Sequence, residues 1–73
     1  MTEHVKHIVD NLPFNPGIYM MRDENGKIIY VGKAISLRKR VRQYFQKNNK
    51  SARIEKMVSL IRDISYIVTE NEV

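Results

Sequence analysis

Gly17-Ile18-Tyr19-Met20-Met21-Arg22-Asp23-Glu24-Asn25-Gly26-Lys27-Ile28-Ile29-Tyr30-Val31-Gly32-Lys33 is two apolar runs joined by a polar turn, and its reading decides the fold. Asn-Gly between such runs is a strong short-range hairpin signal, because both residues tolerate the positive φ of a type I′ turn. If Asn25 and Gly26 form a two-residue loop, Glu24 pairs with Lys27, Tyr30 faces Met21 and Gly32 faces Tyr19. Tyr19 and Tyr30 are then diagonal neighbours on one face of the hairpin, roughly 7–8 Å apart at the backbone. A slip of one residue would send the two phenols to opposite faces.

Downstream, Ser36 is placed to cap a helix whose apolar residues Leu37, Val41, Tyr44 and Phe45 share one face. On a helical wheel Arg40 falls beside Tyr44 at the edge of that face, while Lys39 points away. Arg40 can therefore reach toward the sheet, or lay its aliphatic stem along the core with its head in solvent; spacing does not separate the two. Asn48-Asn49-Lys50 breaks the pattern. Ser51 caps a further helix whose Ile54, Met57, Val58 and Ile61 are expected in the core, and residues 64–69 alternate as a third strand. Upstream, Val5, Ile8 and Val9 mark a helix capped by Thr2 and ended by Leu12-Pro13, before the rigid turn Pro13-Phe14-Asn15-Pro16-Gly17. The expected fold is one α+β domain over residues 1–73, a small three-stranded, largely antiparallel sheet flanked by helices.

The 73 residues carry a net charge of +5, unevenly spread. From Lys33 to Lys56 there are nine basic residues against one acid, Glu55, or +8; the rest has four against seven, or −3. A single-sign block of this density suits a polyanion, since each neutralised phosphate releases condensed counterions. With no cysteine and two histidines, disulfides and zinc clusters are excluded, and His4 and His7 read as exposed helix side chains. No apolar run approaches the ~20 residues of a membrane span and the N-terminus lacks the order of a signal peptide, so a soluble cytoplasmic domain is expected.

Gly32-Lys33 lacks the earlier glycine and the Ser or Thr of a phosphate-binding P-loop. No Ser-His-Asp or Cys-His set is available. Two tyrosines, Lys33, Arg40 and Tyr44 around one strand end suit phosphodiester chemistry: a guanidinium can bind two phosphate oxygens, and a nearby ammonium can lower a phenol's pKa. Ordinary strand aromatics would give the same pattern.

Gly17-Ile18-Tyr19, Tyr30-Val31-Gly32 eleven residues on, and Arg40 on the following helix resemble the GIY-YIG nucleases. Leu12-Pro13, Pro16-Gly17-Ile18-Tyr19, Ile29-Tyr30-Val31-Gly32-Lys33-Ala34, Leu37-Arg38-Lys39-Arg40-Val41 and Tyr44-Phe45 are similar to the N-terminal domains of the UvrC type. The resemblance implies a DNA endonuclease of nucleotide excision repair that incises on the 3′ side of a lesion. It implies one divalent metal, magnesium or manganese, and UvrA- and UvrB-type partners. Tyr30 would be the general base, Tyr19 would lie hydrogen-bonded beside it, and Arg40 would stabilise the scissile phosphate. Lys33 and Tyr44 would contact or orient that phosphate, and Arg38, Lys39 and Arg42 would add DNA contacts. In the family a segment like Thr69-Glu70-Asn71-Glu72 leads into a helix whose glutamate binds the metal, and Val73 precedes it. The chain is therefore expected to be a truncated piece, inactive and metal-free alone, with uncovered sheet surface that invites self-association. A non-catalytic DNA- or RNA-binding module using residues 33–56 is the alternative.

Overall fold

A computed structural model describes residues 1–46 and 51–70 of the chain. The elements run α1 (Glu3–Asp10), β1 (Gly17–Arg22), β2 (Ile28–Ala34), α2 (Leu37–Tyr44), α3 (Ala52–Leu60) and β3 (Asp63–Val68). The strands form one antiparallel sheet in the order β2-β1-β3, the expected α+β architecture. The first hairpin and the long return through α2 and α3 thus place β1 in the centre. Its residues alternate strictly, with Gly17, Tyr19 and Met21 buried, because only one face of the sheet is covered by helices.

Pairing between β1 and β2 follows the expected register, with Tyr19 opposite Gly32 and Met21 opposite Tyr30. The turn differs from the two-residue expectation. Asp23 N–H donates to the carbonyl of Lys27 at 3.0 Å, and Arg22 pairs with Ile28, so three residues, 24–26, make the loop. The Asp23 carboxylate accepts from the backbone N–H groups of Asn25 and Lys27, a local alternative that the short acidic side chain offers and a I′ turn does not use. Gly26 takes the left-handed position at φ 78°. A bulge between Met21 and Arg22 leaves Ile29 as an extra residue and restores the register before Tyr30 is reached.

The core joins Val5, Val9 and Leu12 to Tyr19, Met21 and Ile64 of the sheet and to Leu37 and Val41 of α2. Thr2 caps α1 through its hydroxyl, as expected. Ser36 occupies the N-cap of α2 but makes no side-chain cap bond. The loop before β1 caps that helix instead: Leu37 N–H donates to Asn15 O at 3.0 Å and Arg38 N–H to Pro13 O at 3.1 Å. In α3 the expected core stripe is only partly realised. Ile54, Met57 and Val58 lie against the margin of the core, and Ile61 is fully buried but stands just past the helix end. The expected break at Asn48-Asn49-Lys50 lies outside the described residues, as do Asn71 and Glu72. No helix among the described residues is long and apolar enough to cross a membrane.

Candidate active site

Three phenols and one guanidinium converge where the β1–β2 hairpin meets the last turn of α2. Register puts Tyr19 and Tyr30 on the helix-covered face, and the spacing of four residues puts Arg40 one turn before Tyr44. Ring centroids are 6.2 Å apart for Tyr19 and Tyr30, 5.9 Å for Tyr19 and Tyr44, and 5.7 Å for Tyr30 and Tyr44. The Tyr19 and Tyr44 hydroxyls are hydrogen-bonded at 2.9 Å in a buried setting. This geometry depends on Gly32: a Cβ there would overlap the phenol of Tyr19, which crosses the backbone at that point. The missing side chain is the slot that lets Tyr19, only 1% exposed, reach Tyr44.

Arg40 lies against this cluster with Cζ 5.3 Å from the centre of the Tyr44 ring. Hydrogen bonds to Tyr19, with the charges that Tyr44 and Tyr19 would carry, raise its pKa and keep it cationic. Its Nη1 also donates to Gln43 Oε1 at 3.3 Å. The Tyr30 phenol is held above the ordinary phenol range, first by its hydrogen bond with Tyr44, then by the charge Tyr44 would carry and by burial; Arg40 pulls it down. Burial and the bond to Tyr19 push Tyr44 up as well. The expected lowering of a phenol by a neighbouring ammonium is thus reversed, because hydroxyls rather than Lys33 surround Tyr30. Tyr30, Arg40, Gln43, Tyr44 and Ile54 line an open cleft of about 270 Å³. Among the described residues its floor is hydroxyl-rich and its one charge is positive, so it suits a phosphate oxygen.

The remaining predicted site residues lie elsewhere. Lys33 pairs with Ile18 and is exposed, on the sheet face opposite the phenols. Arg38 Nε donates to Leu12 O at 2.6 Å, and its guanidinium sits 4.3 Å over the Phe14 ring. Lys39 and Arg42 share a separate groove with it. Sequence reasoning missed Gln43, though its i+3 spacing from Arg40 was available, and Ile54, whose approach is long-range. Among the described residues no three His, Asp or Glu side chains stand together, and no carboxylate lines the cleft. These residues alone do not fit a divalent cation.

A family model for the UvrC-like GIY-YIG domain matches residues 15–73. The UvrABC system protein C of Caldicellulosiruptor saccharolyticus is 60% identical over 63 residues, covering 86% of this chain and 11% of that protein. Its counterpart from Acetivibrio thermocellus is 49% identical over 69 residues, 93% of this chain and 11% of that one. The chain thus spans about 11% of the length of the curated relatives it matches. Among solved structures, the N-terminal endonuclease domain of UvrC from Thermotoga maritima, described as bound to magnesium as its catalytic divalent cation, superposes with a TM-score of 0.84 at 29% identity. That superposition covers 99% of this chain and 78% of the other. The matched span holds every residue of the cleft, from Tyr30 to Ile54, and the chain belongs to the UvrC-like GIY-YIG domain family.

Proposed function

We propose that the chain is the part of a DNA-repair endonuclease that grips and cuts one phosphodiester, on the 3′ side of a lesion. The observation that supports this most is the convergence of Arg40 with the Tyr19–Tyr44–Tyr30 hydroxyls at one cleft. Arg40 binds two oxygens of the scissile phosphate and offsets the charge that grows on them. Tyr30 takes the proton of the attacking water in its phenolate form, which the Arg40 charge favours and which the Tyr44 hydroxyl and burial oppose. Tyr44 orients Tyr30 and is itself held by Tyr19. Lys33, rising from the far face, reaches flanking backbone rather than the scissile phosphate.

The Thermotoga domain is described with magnesium, and we extend a divalent-cation requirement to this chain, its carboxylate ligand coming from outside the described residues. As a separate polypeptide the 73 residues then bind DNA without cutting it. In the cell the domain would act in the cytoplasm with UvrA- and UvrB-type proteins. Val31 and Ile67, 55% and 57% exposed on the uncovered sheet face, would drive concentration-dependent self-association, measurable by analytical ultracentrifugation.

The test uses the 73-residue chain and a chimera continued with the downstream stretch of the Caldicellulosiruptor relative. Both should bind plasmid with an affinity that falls steeply with salt, and only the chimera should nick it with magnesium or manganese. With UvrA, UvrB and an end-labelled lesion duplex, its product should map 3′ of the lesion. Binding with no metal-dependent nicking by either protein would favour a purely DNA-binding module, which a cleft with no carboxylate among the described residues also suits.

A further inference from the structure

Helix α2 carries a second groove on its other flank, about 400 Å³ in volume and lined by Phe14, Arg38, Lys39, Arg42, Gln43 and Gln46. Among the described residues three cations, two amides and one aromatic ring line it; the Asp10 carboxylate, which accepts from Lys6, is near enough to feel the charges of Arg42 and Arg38 but is not part of the lining. Gln43 lines this groove and the Tyr30–Arg40 cleft alike, so the two depressions meet across one side chain. Phe14 is 57% exposed in the loop before β1. Its ring is fixed by Arg38, whose guanidinium lies 4.3 Å over it and is itself tied by Nε to the Leu12 carbonyl at 2.6 Å. The loop is fixed in turn by the backbone bonds that cap α2. A more than half-exposed ring beside a row of cations is the pairing that binds single strands: bases stack on the ring while phosphates follow the charge.

We propose that the Phe14–Arg38 platform and the groove beside it hold an unpaired stretch of the DNA strand whose phosphodiester lies in the Tyr30–Arg40 cleft. Phe14 stacks on one base freed from its neighbours. Lys39 and Arg42 contact the phosphates that lead from it, and Gln43 spans the crossing into the cleft. A fully paired duplex keeps its bases stacked on each other and offers Phe14 nothing, so the groove selects DNA that is open next to the cut. This rests on the proposed endonuclease reading and names the form of DNA it takes.

The chain has no tryptophan, so Phe14→Trp places a single reporter on the platform. The 73-residue protein is titrated with a 12-nucleotide thymidine strand and with a duplex of equal length, each variant first checked by circular dichroism. Emission of the Phe14→Trp variant should be quenched by the single strand and little changed by the duplex. Phe14→Ala should weaken single-strand binding roughly five- to hundred-fold, the range for losing one stacked base, and leave duplex affinity within about two-fold. Arg42→Gln should weaken both and lower the salt slope by about one phosphate contact. Unchanged emission at saturating single strand, or Phe14→Ala binding both DNAs as the parent does, overturns the platform. These readouts need no cleavage, so they fail separately from the nicking test above.

Discussion

The phenol of Tyr19 crosses Gly32, its directly paired partner on β2, and ends hydrogen-bonded to Tyr44 at 2.9 Å. The glycine of the second motif is thereby the space occupied by the tyrosine of the first.

Gly32→Ala should therefore cost stability by overpacking, ~1–3 kcal/mol, measured by urea denaturation. In a Tyr19→Ala background the obstacle is gone, and the same substitution should cost far less. A double-mutant cycle should give a coupling of about 1 kcal/mol or more. Strict additivity would show that Tyr19 does not lie over Gly32.

Tyr30 and Tyr44 both hold their protons more tightly in the fold than free phenols do. A group whose folded pKa is raised contributes stability that is complete below its unfolded value, about 10 for tyrosine, and lost as pH rises through the folded value. Stability should fall on the alkaline side of about pH 10, and Tyr44→Phe should make that fall shallower by removing one such phenol and the main cause of the shift at the other. Equilibrium unfolding between pH 8 and 11 decides this, and an unchanged slope would contradict it. At neutral pH Tyr44→Phe should cost about 0.5–1.5 kcal/mol for the lost hydrogen bonds.

The hairpin register, the shared face of Tyr19 and Tyr30, and the place of Arg40 beside Tyr44 were legible because each follows from a period of two or of 3.6 residues acting locally. The capping of α2 was not, since its acceptors, Pro13 O and Asn15 O, are backbone atoms more than twenty residues away. Arg38 looked like one more cation on a basic helix, yet its Nε is committed to Leu12 O. Nothing in its spacing announces a partner 26 residues upstream. The loop length failed for a subtler reason: Asp23 supplies its own hydrogen bonds, and the bulge at Ile29 absorbs the difference without disturbing Tyr30.

Gly26 stands at φ 78°, and a β-carbon added to it would meet no atom within 4 Å, so the cost of a side chain there is all backbone. Gly26→Ala should destabilise by about 1–2 kcal/mol, and Gly26→Asn by less, because asparagine tolerates the left-handed region. Urea midpoints should drop in that order with the slope unchanged. Equal midpoints for all three would mean that the turn can shift to a form without positive φ.

Arg40 separates charge from geometry in the proposed reaction. Its guanidinium lies over the Tyr44 ring and donates to Gln43 Oε1, and it is the only cation lining the cleft among the described residues. In the cleaving chimera Arg40→Ala should lower single-turnover nicking by about 10²–10³-fold, the scale for removing one preorganised donor at developing charge. Arg40→Lys keeps the charge but grips one oxygen instead of two, and should fall between parent and alanine. DNA binding should lose about one phosphate contact from its salt slope in Arg40→Ala and change little in Arg40→Lys, because most of the positive charge lies on other residues of the 33–56 segment. If Arg40→Lys nicks as fast as the parent, charge alone suffices and the two-oxygen grip is wrong; if Arg40→Ala does so too, the cleft is not where the phosphate is cut.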